Sequence, residues 1–584
     1  MINAEKLTFG FNSTLLFQNI AFTLEENCHC ALIGSNGTGK TTLVNLIREP
    51  ERFLYDGRLR REGAGRMGYV SQFALRDGDQ SVTVFDYLCG DFHALEQAIG
   101  EVCMEMETCE DMDAVMERYQ ALLDESDAMD ADNYEVNIRR QLKLAELADK
   151  EELPLEALSG GELKLVQIIR QMLRLPGLLI MDEPDVFLDF ENLNGLRDLI
   201  NAYRGTMLVV THSRYLLSHC FDRIWHLENG DLQEFEGTFN EYSFSRLQKK
   251  IDLKLAAIAD EEEVQRLNVL VDQLRENAEE KADPRRGRAL RSKVSFLNRL
   301  LSRQIKAPFV EIRQPDIRLP QIEAPEEPAE LLRLENYSLA FEEKLLENIS
   351  FSVKTGEKVA LVGANGTGKS SMLRQIAKIE NPAIRFSADA VPAFFYQLHA
   401  EILKEQNSIY EEFFDIGFGT ETEIEEYLRS YCFDPDTLRR KVGNLSGGEK
   451  NLLQLAKLAA GNANLLLLDE PSSHLDTFAQ IALEDAIAAY RGAVLMVSHD
   501  FYTIVNCADT ILFVENGGIR PVSARAFRKM IYKKHFSKDY LELEMLKKDL
   551  ETRIQRCLEQ GDCPEAQRLC NKLALTVEQM GKSL

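Results

Sequence analysis

The apolar positions of this 584-residue chain fall into two kinds of pattern. Short continuous runs rich in Leu, Ile, Val and Met occupy 29–33, 178–181, 207–211, 465–468 and 493–498. They predict strands buried on both faces, as in a parallel sheet covered by helices. Elsewhere apolar residues recur every three or four positions, the spacing of one helix face. Within 244–274 they stand at 247, 251, 255, 258, 267, 270 and 274, and the pattern resumes at Leu290, Val294, Leu297 and Leu301. A break at Asp283-Pro284 and Gly287 separates the two stretches, which predicts an antiparallel helical pair with its tip at 279–288. Segments 536–558 and 564–580 predict a second helical hairpin around Gly561-Asp562, and 92–106 and 112–124 read as further helices. The fold class expected is α/β with long helical additions.

The chain repeats itself. Gly34-Ser35-Asn36-Gly37-Thr38-Gly39-Lys40-Thr41 recurs as Gly363-Ala364-Asn365-Gly366-Thr367-Gly368-Lys369-Ser370. Leu158-Ser159-Gly160-Gly161-Glu162 recurs as Leu445-Ser446-Gly447-Gly448-Glu449, and Asp182-Glu183-Pro184 as Asp469-Glu470-Pro471. Ser159 to Ser446, Asp182 to Asp469 and His212 to His499 are each 287 residues apart, whereas Gln72 to Gln397 is 325. The first copy therefore holds 38 additional residues between its glutamine and its serine motif. These fall within 91–134, an acidic, Met-rich stretch read as an inserted helical arm.

Each motif carries chemistry. Glycines between a strand (29–33) and a helix (41–47) let backbone amides wrap a phosphate, with the helix N-terminus adding a favourable dipole. The Lys40 ammonium is suited to the β- and γ-phosphates and the Thr41 hydroxyl to Mg²⁺. A Gly-rich turn ahead of a helix is the plainer alternative, and its recurrence in the same strand–loop–helix setting argues against it. Asp182-Glu183 and Asp469-Glu470 end buried strands at the edge where open parallel sheets bind ligands. The first carboxylate of each pair is placed to orient Mg²⁺, and the second to activate water. His212 and His499 each follow an apolar strand and are placed to reach a γ-phosphate. Ser159 and Ser446 each open a helix with two glycines whose amides suit the same group.

On these motifs, matched in order twice, the chain resembles the ATP-binding cassette superfamily, in which two cassettes face head to tail. The resemblance implies one ATP site built from Gly34, Ser35, Asn36, Gly37, Thr38, Gly39, Lys40, Thr41, Thr42, Gln72, Asp182, Glu183 and His212 with Ser446, Gly447 and Gly448. It implies another built from Gly363, Ala364, Asn365, Gly366, Thr367, Gly368, Lys369, Ser370, Ser371, Gln397, Asp469, Glu470 and His499 with Ser159, Gly160 and Gly161. Mg²⁺ would be held by Thr41, Gln72 and Asp182, and by Ser370, Gln397 and Asp469. Catalysis would rest on Glu183, His212, Glu470 and His499, and the adenine would stack on Phe11 or Phe341. One departure stands out. The second copy reads Pro471-Ser472-Ser473-His474-Leu475-Asp476, close to the superfamily's Pro-Thr-Asn-His-Leu-Asp, but the first reads Pro184-Asp185-Val186-Phe187-Leu188-Asp189. Both copies keep Lys, Glu and His, so the resemblance implies two competent sites, and the loss of polar residues from the first copy's turn argues against assuming equal turnover.

Composition narrows the class. Hydrophobic residues make up 45% and charged residues 28%, the balance of a folded chain. No apolar run approaches the ~18 residues needed to cross a bilayer, and residues 1–10 lack a secretory pattern, so a cytoplasmic protein is expected. The eleven scattered cysteines, with no Cys-x-x-Cys, read as reduced thiols. A net charge of −27 argues against a polyanionic partner until the charge is located. Segment 281–318 carries eleven basic against three acidic residues, with Arg285, Arg286, Arg288, Arg291 and Lys293 clustered at the expected tip. A basic projection of this kind suits nucleic-acid phosphates.

Tandem cassettes without a membrane span, a basic helical linker and an arm in the first copy resemble the ABC-F class. The division expected is a first cassette over 1–242 (arm 91–134), a linker over 243–329, a second cassette over 330–520 and a helical extension over 521–584. The resemblance implies a monomeric cytosolic ATPase with ATP and Mg²⁺ as its ligands. It would act in the ribosomal tRNA exit site, with its linker directed to rRNA and P-site tRNA, and some members of the class protect ribosomes from antibiotics. Two readings compete. A detached transporter motor would copurify with a membrane protein, and a DNA-associated cassette ATPase would be stimulated by DNA. An iron–sulfur recycling ATPase is excluded by the missing cysteine cluster.

Overall fold

The computed structural model describes the chain except residues 1, 12–13, 62–65, 73–78, 107–110, 187, 281–292, 295–313, 323–328, 341–343, 398–401, 533–537 and 584. Two compact units emerge: Met1–Thr238 with Arg313–Met530, and Phe239–Ile312 with Ile531–Leu584.

The first unit holds the repeat as two matching sheets. One runs Met67–Val70, Leu178–Asp182, Thr206–Val210, His29–Ile33, Arg223–Glu228 and Asp231–Glu236 in spatial order; the other runs Pro392–Phe395, Leu465–Asp469, Ala493–Val497, Lys358–Val362, Thr510–Glu515 and Gly518–Ser523. In each, the first five strands are parallel and the sixth returns antiparallel. The strands Leu178–Asp182, Thr206–Val210, Leu465–Asp469 and Ala493–Val497 are buried along their whole length, as strands covered on both faces must be. Both phosphate loops leave the fourth strand in this order, with parallel partners on either side. A three-stranded antiparallel sheet accompanies each cassette: Thr14–Leu24, Ile2–Phe11 and Asp56–Arg61 in one, Lys344–Lys354, Glu330–Ala340 and Ile384–Phe386 in the other.

The arm is helical, as expected, but its first helix is Val84–Met106 and begins eight residues before the 92 expected. Thr83 Oγ1 accepts the Asp86 N–H at 3.1 Å and caps it there, and Val84, Leu88 and Cys89 carry the buried stripe back into the cassette. The second helix, Met112–Ala128, starts at the expected residue and is capped by Asp111. Among the described residues the second cassette has only short helices in the corresponding stretch: Ile409–Phe414, Glu421–Arg429 and Pro435–Leu438.

The second unit is built from the helix Phe239–Glu280 and a hairpin of Lys538–Glu559 and Cys563–Ser583. Gly561 makes the turn at φ 77°, a left-handed conformation that favours glycine. Ile251 of the long helix is fully buried against Leu550, Ile554, Leu569 and Leu573 of the hairpin, and Lys254 Nζ donates to the Leu558 carbonyl at 2.8 Å. The hairpin's apolar stripe therefore has a packing role. The linker tip, with Arg285, Arg286, Arg288 and Arg291, lies outside the described residues, as do Leu290, Leu297 and Leu301 of its expected return half. Among the described residues no helix is long and apolar enough to cross a membrane, and the described cysteines are free thiols.

Candidate functional site

Each phosphate loop is shaped by glycine and closed by lysine. Gly39 and Gly368 cap the following helices, Lys40–Arg48 and Lys369–Lys378, at φ 97° and 89°. The first helix thus starts one residue before the 41 expected. Thr38 Oγ1 donates to Ser35 O at 2.9 Å, and Thr367 Oγ1 to Ala364 O at 3.0 Å, fixing the same bend twice. Lys40 Nζ folds back onto the Gly34 and Ser35 carbonyls, both at 2.9 Å; Lys369 Nζ does the same on Gly363 (2.8 Å) and Ala364 (2.6 Å). Both lysines are buried, and these carbonyls are the partners a buried cation requires.

Beside each loop lie the strand-end acids. Burial and the neighbouring Glu183 push the Asp182 carboxyl up to about 6, against the Thr41 hydroxyl and Lys40. Burial and Asp469 push Glu470 up to about 8. Glu183 and Glu470 adopt left-handed backbone, φ 47° and 52°, each donating its N–H to the end of the neighbouring strand: Val210 O at 2.8 Å and Val497 O at 2.9 Å. A bulky residue held in this conformation stores strain, and such strain clusters at functional positions.

The acids differ in their partners. Gln72 Nε2 donates to Glu183 Oε2 at 2.6 Å. Glu470 Oε2 instead accepts the His499 N–H at 3.2 Å, with His499 Nε2 at 3.6 Å from Oε1. Burial, reinforced by Lys369, holds His499 down at about 4. Burial also keeps His212 well below its ordinary value; it is nearly inaccessible, and neither ring nitrogen has a hydrogen-bond partner. A buried, unpartnered imidazole is the kind of group that a ligand oxygen completes.

Ser159 and Ser446 are helix N-caps in full capping boxes with Glu162 and Glu449, which aims the amides of Gly160–Gly161 and Gly447–Gly448 outward. A cavity of about 630 Å³ brings Gly160, Gly161 and His212 of the first cassette together with Lys369, Ser370, Ser371, Gln397, Glu470 and His499 of the second. On the other side, a side-chain carbon added to Gly448 would strike the Asn36 amide. Each serine motif thus meets the phosphate loop of the opposite cassette. Phe11 ends its strand 54% exposed, edge-on to Phe9 with ring centroids 5.0 Å apart; Phe341 lies outside the described residues.

Three features went unread in the sequence. Asp189 and Asp476 each cap their own following helix through Oδ1, while Oδ2 accepts a phosphate-loop amide of the other cassette: Asn365 N–H to Asp189 and Asn36 N–H to Asp476, both 3.2 Å. The first loop is further held by Glu228, which accepts from the Ser35 amide (3.0 Å) and hydroxyl (2.8 Å), where the second copy has Ala364. Arg214, just after His212, is buried against Glu484 and lies 3.5 Å from Asp500, both in the second cassette.

The geometry sets two facing phosphate loops, each answered by the other cassette's serine motif. Comparison with known proteins gives the same division, the ABC transporter family matching residues 17–186 and again 346–473, together just over half of the chain. The chain belongs to the ABC transporter family. Relatives include ABC transporter F family member 5 of Arabidopsis thaliana, 25% identical over 528 residues, covering 88% of this chain and 75% of that one. Another is the Energy-dependent translational throttle protein EttA of Escherichia coli (strain K12), 26% identical over 523 residues, 86% of this chain and 90% of the relative. Among solved structures, RNase-L Inhibitor shares the fold at a TM-score of 0.53 and 19% identity, over 91% of this chain and 92% of that one. This ABC protein is a tandem-cassette ATPase whose relatives include ABC transporter F family members.

The residues beside the phosphate loops fit Mg²⁺. Ser370 Oγ lies 2.7 Å from Asp469 Oδ1, and Thr41 pairs with Asp182. A carboxylate and a hydroxyl at each loop are hard oxygen donors of the kind that would hold Mg²⁺ beside the phosphates of a nucleotide.

A pH dependence follows from Glu470. A general base must be ionised, so with the first site silenced by Glu183→Gln, kcat/KM should rise with pH and level off above about 8. A profile flat from pH 6 to 9 would show that Glu470 is not the titrating base.

Proposed function

We propose that this chain is an ABC-F factor that acts on the ribosome, binding at the tRNA exit site and using ATP to time its stay. The observation that carries the ATP half is the cavity joining Gly160 and Gly161 to Lys369, Ser370 and Glu470. Lys40, with the Gly34–Thr42 loop, and Lys369, with the Gly363–Ser371 loop, hold the β- and γ-phosphates. Thr41, Asp182 and Gln72 at one site, and Ser370, Asp469 and Gln397 at the other, hold Mg²⁺. Glu183 and Glu470 activate water, while His212 and His499 contact the γ-phosphate. Phe11 and Phe341 take the adenine ring. Nucleotide bound between one loop and the opposite Ser-Gly-Gly draws the cassettes closed, and hydrolysis releases them.

The ribosomal half is supported by likeness to the translational throttle protein and by the basic segment 281–318. Its partners on this reading are rRNA and P-site tRNA, reached through the linker by a cytoplasmic monomer with intramolecular cassette pairing. Ribosome protection against an antibiotic is a narrower form of the same activity.

Adding purified ribosomes should raise the ATPase rate several-fold, with duplex DNA and detergent-solubilised membrane without effect. Stimulation by DNA alone would replace the ribosome with a chromosomal partner, and stimulation by the membrane fraction alone would point to a transporter.

A further inference from the structure

Lys164 lies in the second turn of the helix Gly160–Leu173, whose N-cap is Ser159. It is 2% exposed, and its Nζ donates to the carbonyls of Ser71 and, at 2.9 Å, Gln72. One buried ammonium thereby fastens the loop carrying Gln72, whose amide reaches Glu183 at the first site, to the helix whose leading glycines face Lys369 at the second. Gly160 and Lys164 are four steps apart along the helix, about 6 Å of rigid rise.

The second cassette has no lysine at the equivalent position. The residue 287 positions on is Asn451, whose side-chain amide donates to the Ser473 carbonyl, in the turn after its own Glu470. The charge opposite Lys164 differs as well. Asp185, which stands close enough to favour the ammonium and accepts a 2.6 Å hydrogen bond from Thr211, is replaced by Ser472. The two positions are thus charged in one copy and neutral in the other, Asn451 and Ser472, as expected if burying the cation requires counter-charge.

We propose that Lys164 is a positioning residue that couples the two nucleotide sites: it ties the placement of Gln72 at the first site to that of the Gly160–Gly161 amides at the second. The coupling has one strut, but its free energy is reciprocal, so each nucleotide raises the affinity for the other by the same factor. The inference rests on the assignment of the two sites above.

Its test is a double-mutant cycle in the full-length Glu183→Gln/Glu470→Gln protein, with binding of Mg²⁺ and a fluorescent N-methylanthraniloyl ATP read by titration. Lys40→Ala empties the first site. With Lys164 present, this should weaken binding at the remaining site by about tenfold, within the range typical of coupled sites. In Lys164→Asn/Asp185→Ser, which carries the second copy's neutral pair, the same Lys40→Ala change should leave the remaining site within about twofold. An equal weakening in both backgrounds would overturn the coupling role. Should the pair variant fail to fold, Lys164→Met, which keeps the aliphatic stem and drops the donors, carries the same comparison. Failure of Lys40→Ala to remove one of two bound nucleotides would instead overturn the site assignment itself.

Discussion

Replacing Glu183 and Glu470 together by Gln is expected to lower ATP turnover by about a hundred- to ten-thousandfold, the usual contribution of a positioned general base, while ATP binding persists. Both carboxylates stand at strand ends in left-handed backbone beside the phosphate-loop lysines, Glu470 buried and Glu183 half-buried, and neither is needed to shape the loop. Gln keeps the side chain's length and one acceptor, so the surroundings of Gln72 and His499 survive while the capacity to take a proton from water is lost. Nucleotide should then accumulate unhydrolysed between loop and opposite serine motif, holding the closed state. Phosphate release measured in single turnover checks this, and an unchanged rate would remove both glutamates from the catalytic role.

Replacing Arg285, Arg286, Arg288 and Arg291 by Ala should weaken ribosome binding on the order of a thousandfold at 0.1 M salt, if all four touch phosphate. Each cation that neutralises a phosphate releases counterions and contributes a slope of about 0.7–0.9 to the logarithmic salt dependence. Four lost contacts should therefore lower the slope by about 3. The signature is the change of slope, because a misfolded tip and a lost non-ionic contact both weaken binding without flattening it. An unaltered slope would take RNA away from the tip.

Much of the arrangement around the phosphate loops is legible in the sequence because its geometry is local. A phosphate loop is a few glycines between a strand and a helix, and the buried strands read as unbroken apolar runs, so Lys40, Lys369 and the two acid pairs were found from spacing alone. Asp189 and Asp476 were read only as the ends of their motifs. Their Oδ2 partners, Asn365 and Asn36, are 176 and 440 residues away, and nothing local marks a cap whose second oxygen crosses to another cassette. Arg214 was hidden for the same reason, its counter-charge Glu484 lying 270 residues on. The C-terminal hairpin showed its apolar stripe but not its partner, because Ile251 lies about 300 residues before Ile554 and Leu569. The arm helix was begun at 92 and not at Val84 because acidic, insert-like composition drew the boundary, while the cap that sets it is the single hydroxyl of Thr83.

The most direct measurement is sedimentation of the Glu183→Gln/Glu470→Gln protein through a sucrose cushion with ribosomes, with and without ATP. Cosedimentation that requires ATP is the predicted result. A protein that binds ATP but stays in the supernatant would contradict the ribosomal assignment and leave a tandem ATPase with another partner.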